Sequence, residues 1–348
     1  MKVLITGAAG FLGTKLVSTL LSEKEIGGQK VTGLVLIDIE EIEGIIPDDN
    51  TPFPIKIITT DLPLGIEILY KQRPDVIYHL ASMPWKDDAE DNFDEGMYTN
   101  VDLTRILLDE IRAIDGYKPR LVYASSLLPD IISDECHRTP MTTAHLICEL
   151  LIDEYSRRGF VDGISICLPT IAIRPRFRNE MPTDFVSRLI VEPLHGIAVV
   201  CSVPLTTRYD VASPRAAVKF LLHGAIVPSD KLSNKLTRAI TMPSLRVSVD
   251  HVFESLAQVT GKGAFNLIEI ELDPSSEEDT SFPTCIKLEA KRAKELGFIL
   301  SDRSFDDIIS AYIYNDIGGN RHSLSHNPIG LEHAPARTKL VQTHGLCA

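Results

Sequence analysis

Val3-Leu4-Ile5-Thr6-Gly7-Ala8-Ala9-Gly10-Phe11-Leu12-Gly13 opens the chain and decides how the rest is read. Val3, Leu4 and Ile5 form a short continuous apolar run, the mark of a strand buried on both faces. From Phe11 the apolar residues change to helical spacing, with Leu12, Leu16, Leu20 and Leu21 on one face. Three glycines at Gly-x-x-Gly-x-x-Gly spacing lie between strand and helix. Gly7 permits a tight turn, Gly10 lets the backbone approach a pyrophosphate at the helix N-terminus, and Gly13 lets helix and strand pack closely. A second apolar run, 31–37, ends in Asp38, where a carboxylate can accept hydrogen bonds from an adenosine ribose. A carboxylate there repels a 2′-phosphate, which points to NAD rather than NADP. Ala9, Phe11 and Leu12 join Gly7, Gly10 and Asp38 in the expected cofactor site.

The same alternation continues along the chain. Apolar runs at 55–58, 76–80, 120–124 and 164–168 read as strands, and helical spacing over 64–70, 97–114 and 146–158 reads as the helices between them. Short buried strands separated by helices make parallel βαβ units, so the expected fold is α/β, a Rossmann-type doubly wound parallel sheet. Beyond Pro169 the alternation weakens into loops and short strands over 173–178 and 202–213, with helices over 214–223, 249–259 and 285–296. These shifts predict an NAD-binding domain over 1–168 with a return segment near 213–245, and a small α/β substrate lobe over 169–317. Residues 318–348 are rich in Gly, His, Pro and Ser without periodicity and read as a disordered tail.

The 348 residues carry a formal net charge of −13 and no long basic run, which argues against a nucleic-acid partner. No apolar stretch approaches the roughly 20 residues of a membrane span, and the early glycines interrupt anything resembling a signal peptide. A cytoplasmic protein with a small-molecule substrate and no membrane partner is expected. Six cysteines are scattered without CxxC spacing, so reduced thiols are expected rather than a zinc site or a disulfide framework. Cys136-His137 has no companions at ligand spacing, and no metal is expected.

Further motifs fall at the ends of the predicted strands. Asp61-Leu62 follows the third, His79-Leu80-Ala81-Ser82 closes the fourth, Asn100-Val101-Asp102-Leu103-Thr104 lies in the helix after it, and Ser125-Ser126 ends the fifth. Together with the glycines these resemble the extended short-chain dehydrogenase/reductase family, which includes NAD-dependent epimerases and dehydratases. Within it, Ile147-Cys148-Glu149-Leu150-Leu151, Tyr155-Ser156-Arg157-Arg158-Gly159-Phe160, Leu168-Pro169-Thr170-Ile171, Arg174-Pro175 and Ala212-Ser213-Pro214-Arg215 are most similar to sugar-acid dehydrogenases of the D-erythronate dehydrogenase type. The resemblance reaches as far as the tail. It implies NAD as cofactor, an adenine contact at Asp61-Leu62, and further cofactor contacts at Leu80, Ala81 and Asn100. It also implies a substrate oxygen polarised by Ser126 with Ser125 beside it, and a homodimer through the long helices. Arg174 could pair with a substrate carboxylate. Arg208-Tyr209-Asp210-Val211 replaces an aromatic and His-rich run, which adds Arg208 to the expected substrate contacts.

The family's chemistry uses a Tyr and a Lys four residues apart on one helix face. The Tyr hydroxyl moves the proton while hydride moves to or from nicotinamide; the Lys lowers the Tyr pKa and holds the nicotinamide ribose. From Pro129 to Glu154 this chain has neither residue type. Counting back from Ile147-Cys148-Glu149, Met141 falls at the Tyr position and His145 at the Lys position. The chain is also shorter than the family just after Ser126 and between Thr143 and Leu146. Met141 cannot carry a proton. His145, with an ordinary pKa near 6.5, is either a replacement acid/base or a helix histidine without a role. His79 reads as structural, and Arg176 and Arg178 as a solvated face or as contacts to an anionic substrate. Three readings follow. The first is an oxidoreductase-type enzyme with degraded or altered catalysis on a sugar-acid-like or other hydroxylated small molecule, or a non-redox isomerase or lyase, using Ser126 with or without His145. The second is a non-catalytic NAD-binding sensor. The third is an ordinary dehydrogenase whose gene model is imperfect at the gaps and the tail.

Overall fold

The computed structural model describes residues 1–42, 51–83, 93–126, 140–174, 185–233, 237–271 and 290–317. Its main sheet has seven strands: β1 Lys2–Thr6, β2 Gly33–Asp38, β3 Ile55–Thr59, β4 Val76–His79, β5 Arg120–Ser126, β6 Asp162–Leu168 and β7 Ala239–Thr241. Their spatial order is β7-β6-β5-β4-β1-β2-β3, and every pairing is parallel. The chain starts in the middle and winds outward both ways, so the order reverses between β1 and β4. The crevice above such a reversal is where doubly wound sheets bind dinucleotides.

The longer helices are α1 Phe11–Glu23, α2 Leu103–Ala113, α3 Pro140–Arg157, α4 Phe185–Leu194, α5 Pro214–Gly224, α6 Val249–Thr260 and α7 Phe305–Asn315. Strand residues alternate between two cores. Val3, Ile5, Leu34, Leu36, Tyr78 and Val122 pack with Leu16 and Leu20 of α1 and Phe220 of α5. Leu4, Val35, Ile37, Ile77, Leu121 and Tyr123 pack with Leu107, Leu108 and Ile111 of α2 and Cys148 and Ile152 of α3. Burial on both faces is why the strands read as unbroken apolar runs. A third core forms after Pro169, where Val186, Leu189 and Ile190 of α4 meet Val252 and Phe253 of α6 and Ile308, Ile309 and Tyr312 of α7. A three-stranded sheet of Thr170–Ile171, Arg208–Ala212 and Leu245–Ser248 backs this core.

Several predicted boundaries move. β7 is three residues long, too short to show a period. The helix read over 146–158 begins at Pro140, because a proline is tolerated in a first turn and Thr142 and Thr143 masked the spacing. The helix read over 97–114 is interrupted by a π-helical turn, Tyr98–Asp102, before α2. The segment 64–70 is two short helices, Leu62–Gly65 capped by Asp61, and Ile68–Gln72 ended by left-handed Arg73. Of the helix read over 285–296, the described part is Lys291–Glu295. The tail over 318–348 lies outside the described residues. Among the described residues no helix is long and apolar enough to cross a membrane.

Candidate functional site

The glycine loop is set by three different constraints. Gly7 has φ +70°, and a Cβ there would stand 2.6 Å from the backbone of Leu80 and Ala81. A Cβ on Gly13 would lie 2.2 Å from the carbonyl oxygen of Gly7. These two glycines serve the turn and the packing of the end of β4 and of α1. Gly10 differs: a Cβ there would meet one heavy atom, Gly7 O at 3.1 Å, and is otherwise in the open. Gly10 is also the N-cap of α1 and supplies no side-chain cap, so the amides of Phe11 and Leu12 begin the helix uncapped by a side chain. The result is a cradle with room above Gly10 and a positive helix end beneath it, the arrangement a pyrophosphate needs.

Asp38 ends β2 against this loop. One carboxylate oxygen accepts the Ala9 amide at 2.8 Å and the other the Glu40 amide at 3.0 Å. Each oxygen has a further lone pair, so acceptor capacity remains for ribose hydroxyls. Asp61 accepts the Leu62 amide at 2.7 Å and the Tyr98 hydroxyl at 3.3 Å. The donor and acceptor set therefore fits a dinucleotide lying from β2 and β3 across the loop.

On the other side of the reversal the groups are side chains. Asn100, in the π-helical turn, is buried. Its Oδ1 accepts from Ser82 Oγ at 2.9 Å and from the Met83 amide at 2.8 Å, and its Nδ2 donates to Met83 O at 3.0 Å. Its amide thus pins the segment following Leu80 and Ala81. His79 is fully buried between Thr6 Oγ1 at 2.7 Å and Thr104 Oγ1 at 2.9 Å, and burial lowers its pKa to about 4.

One face of α3 carries Met141, His145 and Glu149 at successive turns. Met141 Sδ is 3.8 Å from Asn100 Nδ2. His145 Nδ1 lies 2.8 Å from the Tyr123 hydroxyl, and burial lowers the His145 pKa to about 4. Glu149 is buried and accepts the Ser125 hydroxyl at 2.5 Å and the Cys167 thiol at 3.3 Å, with burial raising its pKa. The two serines of the strand end therefore part company. Ser125 is buried and committed to Glu149, whereas Ser126, half-buried at the last position of β5, has no side-chain hydrogen bond among the described residues.

Sequence reading passed over Tyr123 and Glu149. Tyr123 sat in a strand read as apolar; a Glu one turn beyond His145 in a helix rich in Leu and Ile was the available signal for the other. The arginines are not brought together. Val211 pairs with Thr170 in parallel register, so exposed Arg208 precedes that pairing while Arg174 follows Ile171. Ile173, at φ 65°, turns the chain just before Arg174, whose amide donates to Ser187 Oγ at 3.3 Å. Arg176, Arg178, Cys136 and His137 lie outside the described residues. Among the described residues no group of three or more metal-ligating side chains occurs.

The reversal of strand order, the open glycine cradle and Asp38 define a dinucleotide-binding α/β protein. The profile of the NAD dependent epimerase/dehydratase family matches residues 3–222. The chain belongs to that family, whose cofactor is NAD. It is 35% identical over 327 residues to D-erythronate dehydrogenase of Haemophilus influenzae, covering 91% of this chain and 100% of the relative. It is 36% identical over 329 residues to D-erythronate dehydrogenase of Cupriavidus necator, covering 90% and 98%. Its fold matches a structure described as the nucleoside-diphosphate-sugar epimerase from Agrobacterium tumefaciens, with TM-score 0.81, 40% identity, and 92% and 96% of the two chains covered.

Proposed function

We propose that the chain is an NAD-dependent oxidoreductase acting on a sugar-acid-like hydroxylated small molecule by altered, slowed catalysis. The observation that carries this reading is the face of α3: Met141 and His145 occupy successive turns beside an intact cradle, with no Tyr or Lys there. Gly7, Ala9, Gly10, Phe11 and Leu12 would hold the pyrophosphate, Asp38 the adenosine ribose, and Asp61 and Leu62 the adenine. Leu80 and Ala81 would line the far side through the loop that Asn100 pins. When bound, NAD supplies the hydride acceptor. Ser126 Oγ would polarise the substrate oxygen, and Arg174 would meet an anionic group.

The proton step is where the chain is weak. Met141 carries no proton. His145 is neutral at neutral pH, and its Nδ1 is taken by Tyr123. Tyr123 is itself buried, with a pKa well above the ordinary phenol value. Losing a positioned acid/base costs on the order of 10²–10⁴ in rate. The same locked His145 favours a second reading, a non-catalytic NAD-binding sensor. The relatives' printed names make D-erythronate the first acid to test, although a structural neighbour is described as an epimerase. Leu150, 60% exposed on α3, supports pairing of two copies through the long helices, and a cytoplasmic setting fits the family's small-molecule chemistry.

The test combines calorimetry with NAD and a spectroscopic assay of NADH formation from D-erythronate and related four-carbon acids. Saturable NAD binding with slow NADH formation is expected. Saturable binding with no turnover of any acid would favour the sensor, and no NAD binding by the folded chain would overturn both readings.

A further inference from the structure

Ile173 stands in a conformation that its side chain disfavours. Its φ of 65° lies in the left-handed region, where a residue branched at Cβ crowds the backbone. Among the described residues Lys24 and Arg73 share that region, and both end a helix, where a left-handed residue is an ordinary cap. Ile173 ends no helix; it follows the short strand Thr170–Ile171.

Burial shows what the turn does. A strand sends successive side chains to opposite faces. Ile171 packs in the core of α1 and α5, and Ala172 in the core of α4, α6 and α7. Continued extension would return Ile173 to the first face. Instead Ile173 is 2% exposed in the same core as Ala172, so the chain bends there and enters Arg174 on a new course. Both sides of the bend are tied. The Ala172 amide donates to Ala212 O at 2.9 Å, and the Arg174 amide donates to Oγ of Ser187, which is fully buried in α4. The bend also lies beyond the carboxyl end of the main sheet, where α/β sheets bind their ligands. Ser126 and Leu168 are register partners at the last positions of β5 and β6, and the chain reaches Arg174 after one short strand. Strain of this kind persists only where the surroundings impose it, and it collects at ligand-binding positions.

We infer that Ile173 and Ser187 are positioning residues for an anionic substrate. The left-handed turn, pinned by Ser187, sets the course of the chain into Arg174 and so the place where its guanidinium meets a carboxylate. Neither residue touches the ligand; both act through Arg174, and the inference rests on the substrate role proposed for Arg174 above.

Calorimetry with D-erythronate on the full chain saturated with NAD tests it, using two variants that disturb the turn differently. Ile173→Gly removes the strain together with a buried side chain, so its melting temperature is measured alongside. Ser187→Ala leaves Ile173 packed and removes only the acceptor of the Arg174 amide. Each should raise the Kd for D-erythronate about tenfold, the effect of one misplaced charged hydrogen bond, and leave the Kd for NAD unchanged. In an Arg174→Ala background neither should weaken acid binding further, because residues that act through one contact are not additive. A merely structural role would lower the acid affinity equally with and without Arg174. That result, or wild-type acid affinity in Ser187→Ala, overturns the inference while leaving Arg174 as a substrate contact. Wild-type acid affinity in Arg174→Ala, or no binding of D-erythronate by the NAD-loaded wild type, removes the proposed contact and this inference with it.

Discussion

The two sides of the crevice are built on different principles. On the β1–β2 side the groups at the crevice are backbone amides, a space over Gly10 and one carboxylate; on the β5–α3 side they are side chains paired with one another. The first side is dictated by steric demands that also hold the fold, since Gly7 and Gly13 cannot take a Cβ without striking backbone at 2.6 and 2.2 Å. On the second, Met141 meets Asn100 and His145 meets Tyr123, contacts between side chains that the fold does not force in the same way. A site made of backbone is protected by folding itself. A site made of side chains can lose its chemistry while the helix that carried it stays in place.

Gly10→Val should break the first side most completely. The new side chain would fill the space above the cradle while striking little in the protein, so NAD binding should be abolished with the melting temperature nearly unchanged. Gly13→Ala is the contrast, because its Cβ strikes Gly7 O and overpacking of this kind costs about 1–3 kcal/mol. Calorimetry and thermal melts on both variants separate the two roles; NAD binding retained by Gly10→Val would remove the cradle from the account.

The second side should respond to repair. Combining Met141→Tyr with His145→Lys restores a proton-transfer pair at successive turns of α3. NADH formation from the best sugar acid should rise by about 10²–10⁴-fold, the usual worth of positioned acid/base catalysis. A rate equal to that of the wild type would show that proton transfer is not what the second side lacks.

Acid should also act on the second side. His79 and His145 are held at a pKa of about 4 by burial, against an ordinary 6.5. The unfolded chain takes up these protons near 6.5 and the fold only near 4. The stability is therefore complete above about pH 6.5 and lost as pH falls toward 4, by about 3 kcal/mol for each ring. Glu149, with its raised pKa, acts oppositely, losing stability as pH rises. Urea unfolding at pH 7 and pH 4.5 should show His145→Gln losing less stability on acidification than the wild type. An unchanged acid loss would mean that His145 is not buried uncharged.

The smallest effect belongs to Asp38→Ala. Loss of the ribose acceptor should weaken NAD binding by about tenfold and relax discrimination against NADP, as expected for hydrogen bonds to a charged group. The competing cost is a freer glycine loop, because Asp38 also holds the Ala9 amide. Equal discrimination between NAD and NADP in wild type and variant would remove Asp38 as the selector.

Legibility followed the same division. The parallel sheet, the glycine turn and the place of Asp38 at the end of β2 were readable because buried parallel strands leave unbroken apolar runs and the turn leaves fixed glycine spacing. β7 was missed because Ala239–Thr241 is too short to show a period, and the first turns of α3 because Pro140, Thr142 and Thr143 look unlike a helix. At the site, loss of the Tyr and Lys was visible by counting, but the replacement partnerships were not. Tyr123 and His145 are 22 residues apart, and only the packing of α3 on β5 brings them together.

The most direct test of the account measures NAD binding and sugar-acid turnover on one preparation of the full chain, alongside His145→Leu. The account predicts saturable NAD binding with NADH formation far below the ordinary range of about 1–10³ per second. Turnover within that range, unchanged in His145→Leu, would contradict it, because a base outside α3 would then be doing the work that the altered face was held to lack.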